Sequence, residues 1–210
     1  MEEFTTIEEN VSAEIVEKKS KFIANLFYIE TVEEAENIIR ETRKKYFDAR
    51  HNCIAYRVLE NGQIIEKASD DGEPSGTAGA PMLNILQKNE FANVLIIVTR
   101  YFGGILLGTG GLVRAYSDSL LKAIENSKKI HKCLGQEYEM RIDYSEFENF
   151  KYYCKKNNIY IEKLEYGEDI VCIISMQNSI KENFKKDYER KNIIIKNLKE
   201  LSIKYVTKSI

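Results

Sequence analysis

Three carboxylates, Asp70, Asp71 and Glu73, fall within four positions, with hydroxyls at Ser69, Ser75 and Thr77 around them. Clustered carboxylates suit two kinds of chemistry: holding a magnesium ion, or working as a general acid and base. The same residue types also build turns, because Asp, Gly, Pro and Ser close them and Asp side chains accept from nearby backbone N–H groups. No histidine or paired-carboxylate motif elsewhere completes a catalytic constellation. The hydroxyls lack the GxSxG elbow that exposes a serine nucleophile. A turn or recognition role therefore outweighs catalysis.

A second motif, TRYFGGILLGTGGLVRAY, runs from Thr99 to Tyr116. Eight of the eleven glycines lie between Gly72 and Gly111, in this segment and in the first, SDDGEPSGTAGAP (Ser69 to Pro81). Glycine is favoured where φ must be positive or backbones must approach closely. Nucleotide cradles fit poorly. Thr109 stands where a P-loop needs lysine, and Val113 occupies the last glycine position of a dinucleotide fingerprint. Glycine amides at a helix start still suit an anion, and Arg100 and Arg114 flank the loop with charge for it. The candidate binding set is Ser69, Asp70, Asp71, Glu73, Ser75, Thr77, Arg100, Tyr101, Gly103, Gly104, Thr109, Gly110, Gly111 and Arg114. No catalytic residue is assigned.

Cys53, Cys133, Cys154 and Cys172 are scattered singly, without the spacing of a zinc site or a disulfide framework. They are expected to be reduced, mostly core thiols. His51 lies two residues from Cys53, but two ligands do not make a metal site, and it reads as a hydrogen-bonded strand residue. No metal and no cofactor are expected. Residues 1–132 carry 17 basic and 20 acidic side chains, and 133–210 carry 14 and 13. Neither part is a basic arm, so strong sequence-independent nucleic-acid binding is not indicated. A local basic patch is invisible to such a count. The acidic start, MEEFTTIEEN, lacks the features of a signal peptide, and no run approaches the ~18 apolar residues of a membrane span. A cytoplasmic protein without membrane or DNA partners is expected.

The elements that must position these residues are legible in outline. Val11–Val16 and Phe22–Ile29 read as strands joined by the polar EKKSK connection. Thr31 and Glu34 form a capping-box signature for a helix reaching about Tyr46. Cys53–Leu59 and Ile64–Ala68 are strands around Asn61-Gly62, a strong hairpin signal. Pro81 opens a helix, Val94–Val98 reads as a buried central strand, and a helix spans about Leu112–Ser127. Beyond that, strands are expected over Gln136–Tyr144, Tyr160–Tyr166, Ile170–Met176 and Leu198–Tyr205. Helices over Glu146–Asn157 and Ile180–Lys191 complete a βαββαβ, ferredoxin-like order. The expectation is an α+β chain of two domains, 1–132 and 133–210, with the boundary near Lys132–Gly135.

The two glycine motifs, with KKSKFIA (Lys18–Ala24) and ARHNCIAYR (Ala49–Arg57), resemble the signatures of the IMPACT family and its bacterial, YigZ-type branch. The resemblance covers most of residues 11–125. It implies a first domain with the fold shared by the second domain of a small-subunit ribosomal protein and by a translation-factor domain. It also implies a ferredoxin-like tail similar to another translation-factor domain. Eukaryotic relatives are linked to translational control through a ribosome-associated activator of a starvation-sensing kinase. Asn52 stands where a second histidine is expected in many relatives, which argues against a paired-histidine site.

Three readings follow. The first is a translation-associated binding protein contacting RNA, the ribosome or a ribosome-associated protein through the glycine loops. The second is an enzyme of unknown reaction using the Asp70/Asp71/Glu73 cluster. The third is a pure protein adaptor, which needs an exposed apolar patch, with Tyr46, Phe47, Tyr101 and Phe102 as candidates.

Overall fold

The computed structural model describes residues 2–208. The chain divides into two compact units, the first from Glu3 to Ile130 and the second from His131 onward. No helix of the described residues is long and apolar enough to cross a membrane.

The first unit is built on an antiparallel sheet of β2 (Val11–Glu17), β3 (Ser20–Tyr28), β4 (His51–Glu60), β5 (Gln63–Ser69) and β6 (Val94–Tyr101). Its strand order is β2-β3-β6-β4-β5. The hairpin at Asn61-Gly62 has φ of 51° and 78°, the two positive values of a type I′ turn. Helices α2 (Gly79–Lys88) and α3 (Gly108–Asn126) cover one face, burying Phe22, Leu26, Cys53, Ile96 and Val98 with Leu86, Tyr116 and Leu120. Helix α1 (Val32–Lys45) covers the other over Ile54, Tyr56, Leu95 and Ile97. Central β6 is therefore buried on both faces, which accounts for its unbroken apolar run.

Thr31 caps α1, its Oγ1 accepting from the Glu34 N–H at 3.1 Å. The Glu34 carboxylate reaches back to the N–H of Glu30, one residue before the cap. Strand β1 (Glu3–Ile7), which lies in the stretch read only as acidic, buries Phe4 and Ile7 and exchanges backbone bonds with Glu90 and Ala92. Helix α3 begins at Gly108, four residues before the expected Leu112, because its glycine-rich first turn reads as loop.

The second unit orders β10 (Asn197–Thr207), β7 (Lys129–Ile142), β9 (Ile170–Gln177) and β8 (Tyr160–Tyr166) side by side, all antiparallel. Helices α4 (Tyr144–Lys156) and α5 (Asn178–Glu189) bury Phe147, Phe150 and Phe184 against Tyr138, Met140, Ile174 and Met176. That order is the ferredoxin-like arrangement. β7 begins seven residues before the expected Gln136, so Lys132–Gly135 is strand rather than connecting loop.

Candidate functional site

β5 and β6 both run antiparallel to β4, so they end at the same end of the sheet. The loop after β5 leads to α2 and the loop after β6 leads to α3. Both glycine motifs consequently leave one end of the first unit.

They are joined by a buried polar network. Arg100 Nη1 donates to Glu73 Oε1 at 2.6 Å, with side chains 7% and 3% exposed. The Tyr116 hydroxyl donates to the same oxygen at 2.8 Å. The Cys53 S–H donates to the Asp70 carbonyl at 2.9 Å, with the Tyr116 hydroxyl oxygen 3.3 Å away. Burial pushes the Cys53 thiol up to about 12 and also raises the Tyr116 hydroxyl. The Arg100 guanidinium lies 5.5 Å from the Phe22 ring centroid and 5.7 Å from that of Phe102. Its buried Nε has no hydrogen-bond partner among the described residues, while the guanidinium as a whole lies over the two ring faces.

The other two carboxylates are also committed. Asp70 accepts from three backbone N–H groups: Gly76 at 2.7 Å, Ala78 at 3.0 Å and Gly79 at 2.8 Å. It thereby closes the turn and caps the start of α2. Asp71 accepts from Arg43 at 2.8 Å and from the Asn52 N–H at 2.7 Å. The Asp71 carbonyl accepts from Nδ1–H of His51 at 2.9 Å, which fixes that tautomer. Asn52 itself accepts from the Thr99 hydroxyl at 2.7 Å. Among the described residues no group of three or more His, Cys, Asp or Glu could hold a metal ion.

The remaining candidates divide into two groups. Thr77 is buried, its hydroxyl on the Pro74 carbonyl, and the Ser69 hydroxyl accepts from the Asp71 N–H. Tyr101 donates to Asp48 at 2.8 Å. Ser75, Gly104, Thr109, Gly110 and Arg114 are exposed, and Gly103 and Gly111 are half-buried. The charge pair expected to serve the loop is thus split. Arg100 is bound inside, whereas Arg114 is exposed on α3.

Three more cations share this end. Lys18 and Lys19 form the β2–β3 turn beside the start of β3, whose Lys21 pairs with Tyr101, and Arg50 precedes β4. Lys18, Lys19, Arg50 and Arg114 are exposed and make no ion pair with any described residue. The uncommitted carboxylates nearest them in sequence are Glu17 and Asp118. In the sequence EKKSK reads as a polar connection, and its lysines as part of the KKSKFIA signature, without a charge role for the turn. The signal that would have drawn notice was two lysines where a two-residue turn favours Asn-Gly. Apolar side chains are exposed here too: Phe47 84%, Phe102 50% and Leu106 83%.

The profile of the Impact N-terminal domain matches residues 18–124, slightly more than half of the chain and both glycine motifs. The chain belongs to the IMPACT family. The IMPACT family member YvyE of Bacillus subtilis is 38% identical over 167 residues, covering 80% of this chain and 76% of its own. The IMPACT family member YigZ of Escherichia coli is 40% identical over 129 residues, 60% of this chain and 63% of its own. A crystal structure described only as that of a hypothetical protein is 29% identical, with a TM-score of 0.61 over 96% of this chain and 98% of that one. The IMPACT match begins at Lys18, so it includes the basic turn as well as the motifs.

Proposed function

We propose that this IMPACT-family chain is a cytoplasmic, translation-associated binding protein that contacts ribosomal RNA through the glycine-loop end of its first unit. One observation carries the reading. The motif's carboxylates are turned to structure, by backbone amides at Asp70, by Arg43 and the Asn52 amide at Asp71, and by Arg100 at Glu73. The four unpaired cations Lys18, Lys19, Arg50 and Arg114 are left exposed around the glycine amides. Acid/base chemistry needs a carboxylate free to exchange a proton, and these are committed. Phosphate recognition needs exposed cations beside open backbone, and the four cations share this end with the exposed Gly104, Gly108 and Gly110. The link of eukaryotic relatives to translational control supplies the biological setting.

The test is co-sedimentation with ribosomes at low and at raised salt. The wild-type chain should pellet with ribosomes at low salt and be released as salt rises. A variant with Lys18, Lys19, Arg50 and Arg114 all changed to alanine should stay in the supernatant while remaining folded. Equal pelleting of the two would remove the reading. The exposed Leu106 and Phe47 favour a second reading, a protein partner on the ribosome. In that case Leu106→Asp, and not the cation variant, abolishes pelleting.

A further inference from the structure

The β2–β3 turn is unusual in its residues. Glu17 pairs with Ser20, leaving only Lys18 and Lys19 in the loop, with φ of 45° and 64°. A two-residue turn with both φ positive is the type that Asn-Gly fills most easily, and left-handed backbone is unfavourable for lysine. Strain kept at an exposed turn points to a use for the side chains it carries. Here that use is charge.

Phe102 stands beside this turn and is held there from both sides. On one side, Arg100 lies 5.7 Å from its ring centroid, fixed in turn by Glu73. On the other, the next residue, Gly103, is pressed onto the turn. Its N–H donates to the Ser20 hydroxyl at 3.2 Å, and a Cβ there would lie 2.0 Å from the Lys19 carbonyl. Only glycine fits, so the backbone carrying Phe102 is locked to the backbone carrying the lysines. An aromatic ring that is 50% exposed on a backbone held in this way, next to two free ammonium groups, has the make-up of a base-stacking platform.

We infer that Phe102, backed by Arg100, stacks an unpaired RNA base while Lys18 and Lys19 hold the adjoining phosphates, so the chain binds single-stranded rather than duplex RNA. This rests on the RNA reading above and narrows it. Stacking reads a π-face that every base offers and that a duplex hides, so little sequence preference is expected.

The test compares three probes by fluorescence anisotropy: oligouridylate, an RNA duplex, and a ribose-phosphate strand of the same length without bases. Wild type should bind oligouridylate most tightly. Phe102→Ala should weaken that binding about tenfold or more and leave the baseless strand unchanged. The double variant Lys18→Asn/Lys19→Gly relieves the turn, so its melting temperature should rise by about 2–4 °C while its affinity for both single strands falls. If all three probes bind alike, Phe102→Ala changes nothing and Arg114→Ala still weakens binding, the platform is wrong and the phosphate reading stands. If wild type binds none of the probes, both fail.

Discussion

Glu73 and Arg100, twenty-seven positions apart, meet in a 2.6 Å ion pair whose side chains are 3% and 7% exposed. One comes from each glycine motif, so the pair fastens the loop before α2 to the end of β6. A buried pair of this kind seldom adds much over an apolar replacement, but a single partner left behind is costly. It works as a register pin between two glycine-rich loops that otherwise bury only a few small or single side chains such as Thr77, Ala78 and Leu107.

Arg100→Ala should destabilise the first unit by about 3–5 kcal/mol, because Glu73 would stay buried with only Tyr116 donating to it. Urea unfolding should show a lower midpoint with an unchanged slope. Arg114→Ala, on an exposed side chain, should shift the midpoint by less than about 0.5 kcal/mol. A mild Arg100→Ala effect would mean that the pin is dispensable.

Asp70→Ala removes the acceptor of three backbone N–H groups at the turn and the start of α2. A loss of about 2 kcal/mol or more is expected, above that of an ordinary helix cap. Hydrogen exchange at Gly76, Ala78 and Gly79 should speed up first. Unchanged protection at those amides would contradict the assignment.

Alkaline stability reports on the buried thiol. In the folded chain Cys53 is raised from about 9 to about 12, so the folded state holds this proton more tightly than the unfolded state. Its contribution is full below about pH 9 and is lost as pH rises towards about 12. Between about pH 9 and pH 11, Cys53→Ala should show a fall in unfolding free energy shallower by up to about 1.4 kcal/mol per pH unit. Parallel curves for wild type and variant would refute this.

The second unit should fold alone if the whole of β7 is kept. The β10 register runs down to Thr207 opposite Lys132 and Val206 opposite Cys133, so the strand's early residues belong to this sheet. A fragment of residues 129–210 should unfold cooperatively. A fragment starting at Glu137 should lose that end of β10 and melt several degrees lower. Equal melting temperatures would show the extra residues to be passengers.

Local chemistry made much of this fold legible. Thr31 with Glu34, and Asn61-Gly62, act over a few residues and gave their helix and hairpin correctly, while the Val94–Val98 run marked the doubly covered strand. What escaped depends on distant partners. Glu3–Ile7 is too short for a period and is strand only through pairing with remote residues. Lys129–Lys132 is mostly polar, and it is the pairing of Lys132 with Thr207 on β10 that marks its end as strand. The site split in the same way. Glycine spacing marked both loops, but nothing local says that Arg100 is buried against Phe22 and paired with Glu73 while Arg114 stays outside.

The central claim is that exposed cations at the glycine-loop end bind RNA phosphates. It is tested most directly by the slope of log affinity for single-stranded RNA against log salt concentration. Four contacts predict a slope of about −3 for wild type, made shallower by about 0.7 in Arg114→Ala and brought near zero when Lys18, Lys19, Arg50 and Arg114 are all alanine. A fully substituted, folded variant that kept the wild-type affinity and slope would contradict the account.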